Sequence, residues 1–203
     1  MFFLRKAAIR TTDWLVNDGS INIEEREIYE YGFNKLYSIF TNFLFAVLFG
    51  LIFGMLFLTL TFYAAYFVIR IYAGGIHAET EMRCFFLSTL VIIPCQFVIR
   101  FYYIWNIILW NIPIIFYALL ACSVATLLYL APVGSKNKMP DVKERSIYRR
   151  RMIRNLMVLV VLAIILSLLL HQYASAVLIG VLLSAIMTIV GKVKLKFQGM
   201  VSI

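Results

Sequence analysis

Charge is scarce in this chain and missing altogether from Leu36 to Ile69, a stretch of 34 residues. Only 14% of all residues are charged while 63% are apolar, and mean hydropathy is +0.91. A chain with so little polar surface cannot cover a water-soluble fold, so lipid must solvate much of it. At 203 residues it has room for one membrane domain, residues 1–203, and none for a separate soluble enzyme. The start, Met1-Phe-Phe-Leu-Arg-Lys, lacks the order of a signal peptide, because charge follows the apolar residues at once. The expectation is insertion through internal spans, with nothing removed. Cysteine is sparse too. Cys84, Cys95 and Cys122 form no Cys-x-x-Cys pair and no disulfide framework. Two of the three sit inside apolar runs, where they read as small core residues, whereas Cys84 follows Glu79, Glu81 and Arg83.

What is present points to an all-α polytopic membrane protein. Residues 1–35 mix five Lys/Arg and six Asp/Glu with Phe2, Phe3, Leu4, Ile9, Trp14 and Leu15. That pattern predicts an amphipathic interfacial segment: a helix, a turn at Asn17-Asp18-Gly19-Ser20, then a second helix opening after Asn22 on Glu24, Glu25 and Glu27. Residues 36–190 form the transmembrane bundle, and 191–203 a basic tail. A span needs about 20 residues for a hydrocarbon core of roughly 30 Å. The uncharged 36–69 run is therefore expected to be two helices joined near Gly50–Gly54–Met55, with one tilted span as the alternative. Further apolar runs cover 85–104, 107–131, 156–170 and 174–190. The total is about six transmembrane helices, or five if 36–69 is a single span. Tyr102, Tyr103, Trp105, Asn106, Trp110 and Asn111 form an aromatic-polar turn suited to the bilayer interface.

Positive charge sets the orientation. Residues Gly134–Arg154 hold eight Lys/Arg against Asp141 and Glu144, and Lys192, Lys194 and Lys196 follow the last run. Both regions are expected in the cytoplasm. Counting back through the spans puts Arg70–Cys84 on that same face under either span count. The net charge of +9 thus speaks of orientation and membrane lipids, and not of nucleic acid.

Arg70–Cys84 is the segment that can do chemistry. It reads Arg70-Ile-Tyr-Ala-Gly-Gly-Ile-His77-Ala-Glu-Thr-Glu-Met-Arg-Cys84 and holds one of two histidines and the only cysteine in a polar context. A cysteine nucleophile works as the thiolate, and a histidine within reach takes its proton or stabilises the anion. Gly74 and Gly75 permit positive φ, close approach of a substrate backbone, or amide donation to an oxyanion. On one straight helix His77 and Cys84 would share a face but lie about 10 Å apart along the axis. A catalytic pair therefore requires a break between them. The plainer reading is a polar connector with solvated carboxylates. His77, Glu79, Glu81 and Cys84 match no familiar metal-ligand spacing, and nothing in the sequence calls for a metal or another cofactor.

The pattern Arg70-xxx-Gly74-Gly75-x-His77-Ala78-xxxxx-Cys84, in a small basic polytopic chain, resembles the AgrB family (accessory gene regulator protein B). So does the later Ala131-Pro132-Val133…Asn137-Lys138-Met139-Pro140, although Gly134 and Ser135 stand where a more polar or proline-rich string is expected. The resemblance implies a membrane cysteine endopeptidase in the plasma membrane of a Gram-positive bacterium, acting on an AgrD-like quorum-sensing propeptide. Cys84 would be the nucleophile and His77 its base. The product would be a thiolactone or lactone ring, and the protein would act as a homodimer. Arg70, Lys136, Lys138, Lys143, Arg145, Arg149 and Arg150 are the cations available to bind the propeptide. Each has a plainer alternative role: Arg70 caps its span at the headgroups, and the others set topology or touch anionic lipid. Two other functions fit the composition, a small peptide transporter or exporter and a non-catalytic membrane scaffold. The apolar runs are uncharged apart from Arg100, so no coupling site for transport is evident. Both alternatives predict that His77 and Cys84 are dispensable.

Overall fold

Long uncharged runs with glycine punctuation fold as helices ended by glycine caps. The computed structural model describes residues 2–74, 81–104, 113–134 and 141–197, and every element among them is helical. The order is α1 (Phe2–Asn17), a 3₁₀ turn (Ile23–Glu25), α2 (Arg26–Ile52), α3 (Leu56–Ala73), α4 (Glu81–Ile104), α5 (Pro113–Leu130), α6 (Val142–Leu169) and α7 (His171–Phe197). Among the described residues, four stretches are long and apolar enough to cross a membrane: 23–52, 56–73, 143–169 and 171–197. Two shorter apolar stretches, Thr89–Phe101 and Ile114–Leu130, lie in α4 and α5. This is an all-helical membrane protein.

The expected break in the 36–69 run is present. Gly54 takes φ +64°, the Met55 N–H reaches back to the Gly50 carbonyl at 2.7 Å, and the Gly54 N–H to Leu51 at 3.1 Å. These paired bonds satisfy the carbonyls left open at a helix end. Gly50 also lets the helices close up, since a Cβ there would lie 2.7 Å from Thr59 Oγ1. A similar glycine cap ends α1, with Gly19 at φ +74° and the Ser20 N–H on the Leu15 carbonyl at 3.0 Å. Glu25, three residues after Asn22, accepts from the Asn22 N–H at 3.4 Å. The turn at Trp105–Asn111 lies outside the described residues.

The chain divides into two units, residues 1–48 with 78–93, and residues 49–77 with 94–203. In the first, side-chain hydrogen bonds join α1 to α2. Thr11 and Tyr37 share a hydroxyl hydrogen bond of 2.8 Å, and Arg26 donates twice to one Asp13 oxygen at 3.0 and 2.8 Å. That pair is partly exposed, so water screens much of its attraction.

The second unit is built around α7. Two-thirds of its apolar window (67%) is buried, against 22% for α6. Its small residues explain why: Gly180 sits so close to α3 that a Cβ would lie 2.9 Å from the Phe62 carbonyl oxygen. Ser184 bonds the carbonyls of Gly180 (2.9 Å) and Tyr66 (3.3 Å). Thr188 bonds the Ser184 carbonyl at 2.8 Å. Hydroxyls satisfied this way can be buried among apolar groups, and small side chains let helix backbones approach. Leu127, Met152, Leu156, Val177 and Val181 complete a core drawn from α3, α5, α6 and α7. Many large apolar side chains stay exposed, Phe57, Leu168 and Leu169 among them, as lipid contact requires.

Candidate functional site

α3 carries the first half of the motif. It ends at Ala73, and Gly74 turns the chain out of the helix with φ +73° and ψ −151°. A residue other than glycine rarely adopts that conformation. The Arg70 guanidinium donates to the Gly74 carbonyl, so this side chain helps close the open end of its own helix. The Val133 N–H donates to the Ala73 carbonyl at 2.9 Å, and Gly74 and Val133 pair side by side in parallel register. A Cβ on Gly74 would run into the Val133 carbonyl. The close approach that Gly74 admits is thus by the chain's own backbone. Sequence reading singled out both the Gly-Gly and the Ala-Pro-Val segments, but the bond between them is visible only in three dimensions.

α4 carries the second half. Its described part runs from Glu81 and includes Cys84. Because α3 ends at Ala73 and Gly74 leaves it with a positive φ, no straight helix joins residues 70 and 90. Gly75, His77, Lys136 and Lys138 lie outside the described residues, as does the side chain of Cys84.

The basic stretch expected as a connection becomes helix from Val142 onward. Its cations then separate by face. Lys143, Ser146, Ile147, Arg150, Arg151 and Arg154 recur at helical spacing and line a groove of about 580 Å³. Arg145 falls on another face and is exposed, and Arg149 reaches the Leu128 carbonyl at 3.4 Å. Of the cations proposed for the propeptide, the structure brings Lys143 and Arg150 together and adds Arg151 and Arg154. The i, i+3, i+4, i+7, i+8, i+11 spacing was the signal for this grouping.

Helix ends gather at this side of the second unit. Tyr72 of α3 lies 6.3 Å from the Tyr148 ring of α6. Lys192 Nζ of α7 sits 5.6 Å from the Tyr129 ring of α5. Arg70, Gly74, Val133, the α6 cations and Lys192 therefore share one end of the bundle. At the other end, Arg100, Gln172 and Tyr173 line a smaller cavity of about 220 Å³ with Gly54–Leu58. Cys95 and Cys122 are free thiols within α4 and α5.

A family model, Accessory gene regulator B, matches residues 8–189. The chain belongs to that family. The match runs from α1 through most of α7 and includes every candidate residue named above. Membership carries the family's broad role, processing of a quorum-sensing propeptide at the membrane. Comparison with curated proteins and with solved structures finds no match.

Proposed function

We propose that this protein is a membrane cysteine endopeptidase in which Cys84 attacks, and His77 serves as base for, a peptide bond of an AgrD-like propeptide. The observation that best supports the reading is the end of α3 at Ala73, where Gly74 leaves the helix at φ +73°. One straight helix over residues 70–90, the arrangement that would count against the pair, is therefore not formed.

The chemistry follows from these groups. His77 takes the thiol proton as Cys84 Sγ bonds to the carbonyl carbon at the end of the signal segment. Backbone amides at Gly74–Gly75 are the proposed donors to the oxyanion. Collapse of the tetrahedral intermediate breaks the C–N bond, and the imidazolium returns its proton to the departing amine. The signal segment stays on Cys84 as a thioester. A cysteine thiol within that segment then displaces Cys84 and closes a thiolactone, while a serine would close a lactone. A thioester keeps the acyl group activated, so no nucleotide is required. Tethering raises the effective concentration of the internal nucleophile, and exclusion of water limits hydrolysis.

The groove lined by Lys143, Arg150, Arg151 and Arg154 suits an acidic segment of the propeptide. Arg70, Lys136, Lys138, Arg145 and Arg149 are secondary candidates. Arg70 already donates to Gly74, and Arg149 to Leu128. We place this end of the bundle at the cytoplasmic face of a Gram-positive plasma membrane. In that placement six spans cross the bilayer, residues 1–35 lie at its surface, and the protein acts as a homodimer among its lipids.

Purified protein in lipid vesicles with a matching propeptide is the direct test. Wild type should release the C-terminal fragment and accumulate a thioester that neutral hydroxylamine cleaves. Cys84→Ala and His77→Ala should release none. Full release by either variant would overturn the reading.

A further inference from the structure

The Ala131–Pro132–Val133 segment contains no group able to do acid–base chemistry, yet its backbone is bonded to the point where the chain leaves α3. Three observations meet there: the 2.9 Å bond from the Val133 N–H to the Ala73 carbonyl, the parallel pairing of Gly74 with Val133, and the left-handed φ of Gly74, whose missing side chain makes room for the Val133 carbonyl. Val133 is itself anchored, because it is buried and follows Ala131, whose N–H bonds the last turn of α5 at the Leu127 carbonyl, 3.0 Å away. Ala73, Leu127 and Ala131 all belong to the buried core.

We propose that Val133 is a positioning residue: its main chain clasps Ala73 and Gly74, and so sets the direction in which the chain continues toward His77, three residues on. The inference rests on the peptidase reading given above. Acid–base catalysis tolerates little displacement of the base, since a shift of about 1 Å can cost on the order of a hundredfold in rate. The sequence after Gly74 needs a fixed starting point, and α3 alone cannot supply one. Its final carbonyls have no partners within the helix, and a glycine in open chain is the least restrained residue. The Val133 N–H supplies one partner and Arg70 another. What matters in Val133 is its N–H and its place beside Gly74, and the isopropyl group is secondary.

Substitutions can separate these roles. Val133→Pro removes the donor. Val133→Gly keeps the donor but loosens the segment. Val133→Ala keeps both and is the conservative rescue. Gly74→Ala forces a Cβ into the Val133 carbonyl from the other side. Gly180→Ala, which crowds α3 against α7 away from the clasp, serves as the packing control. Each is purified, checked by circular dichroism and melting, and assayed for propeptide cleavage and for iodoacetamide labelling of Cys84 across pH.

The expected result is a fall in kcat of about tenfold or more for Val133→Pro and Gly74→Ala, with KM little changed. The enhancement of Cys84 labelling near neutral pH should shrink in both. Val133→Gly should lie between these and wild type, and Val133→Ala should recover wild-type kcat. Gly180→Ala should lower the melting temperature and leave the labelling profile unchanged. If Val133→Pro does not fold, Val133→Gly and Gly74→Ala carry the same readout. Wild-type kcat and labelling in folded Val133→Pro or Gly74→Ala overturn the clasp. So does a Gly180→Ala variant that loses the labelling enhancement to the same extent, because the effect is then general packing. Cleavage by His77→Ala or Cys84→Ala instead overturns the peptidase reading on which the clasp rests.

Discussion

At the scale of single residues, the three cysteines should differ in reactivity, because only Cys84 has an ionisable partner in the proposed site. Under limiting iodoacetamide at neutral pH, Cys84 should label ahead of Cys95 and Cys122, and His77→Ala should erase that lead. Peptide mass mapping reads the order directly, and equal labelling of all three in wild type would remove the case for activation. The α6 cations give a second contrast. Arg150→Glu with Arg154→Glu reverses half of the charge lining the groove. The pair should raise KM for a propeptide with an acidic tail about five- to tenfold, as expected of exposed ion pairs, and the effect should fade with added salt. Arg145→Glu, on another face, should do much less. Equal effects from both faces would mean that overall charge matters and the groove does not.

At the scale of elements, the contact between α3 and α7 should dominate the stability of the second unit. Gly180→Ala puts a methyl group 2.9 Å from the Phe62 carbonyl. It should therefore destabilise by about 1–3 kcal/mol, the usual cost of overpacking. Gly32, within α2, has open space where its Cβ would stand. There the same substitution should stabilise by about 0.5–1 kcal/mol, through helix propensity alone. Thermal melts in detergent should thus move in opposite directions, and a shared direction would refute the packing argument. Sequence reading located the helix break at Gly50–Met55 and the turn at Asn17–Ser20, since glycine after an apolar run marks a helix end. It gave α7 no special standing, although Gly180, Ser184 and Thr188 at intervals of four were already visible. A stripe of small residues marks a close contact without naming the helix that fills it.

For the whole molecule, the gathering of helix ends in the second unit makes a topological prediction. Ser146 belongs to the basic groove, and Gln172 lines the cavity at the other end. In a background lacking the native cysteines, Ser146→Cys and Lys192→Cys should react with an impermeant maleimide from the cytoplasmic side. Gln172→Cys should react from the outside. Intact cells compared with inverted vesicles would show it, and a common side for Ser146 and Gln172 would break the proposed placement.

Composition alone determined that this chain lives in lipid, because 14% charge cannot cover a soluble surface. The clustering of Lys and Arg determined which ends belong together, since these side chains resist transfer through the bilayer. The spacing of His77 and Cys84 set a demand, a break between them, and glycines in the sequence offered a means to meet it. Tertiary structure decided what local pattern cannot encode. It paired Gly74 with Val133, 59 positions apart, divided the α6 cations between faces, and put α7 at the centre. Hydropathy and charge act residue by residue and can be read in order along the chain. A hydrogen bond between distant backbones depends on how several helices pack at once.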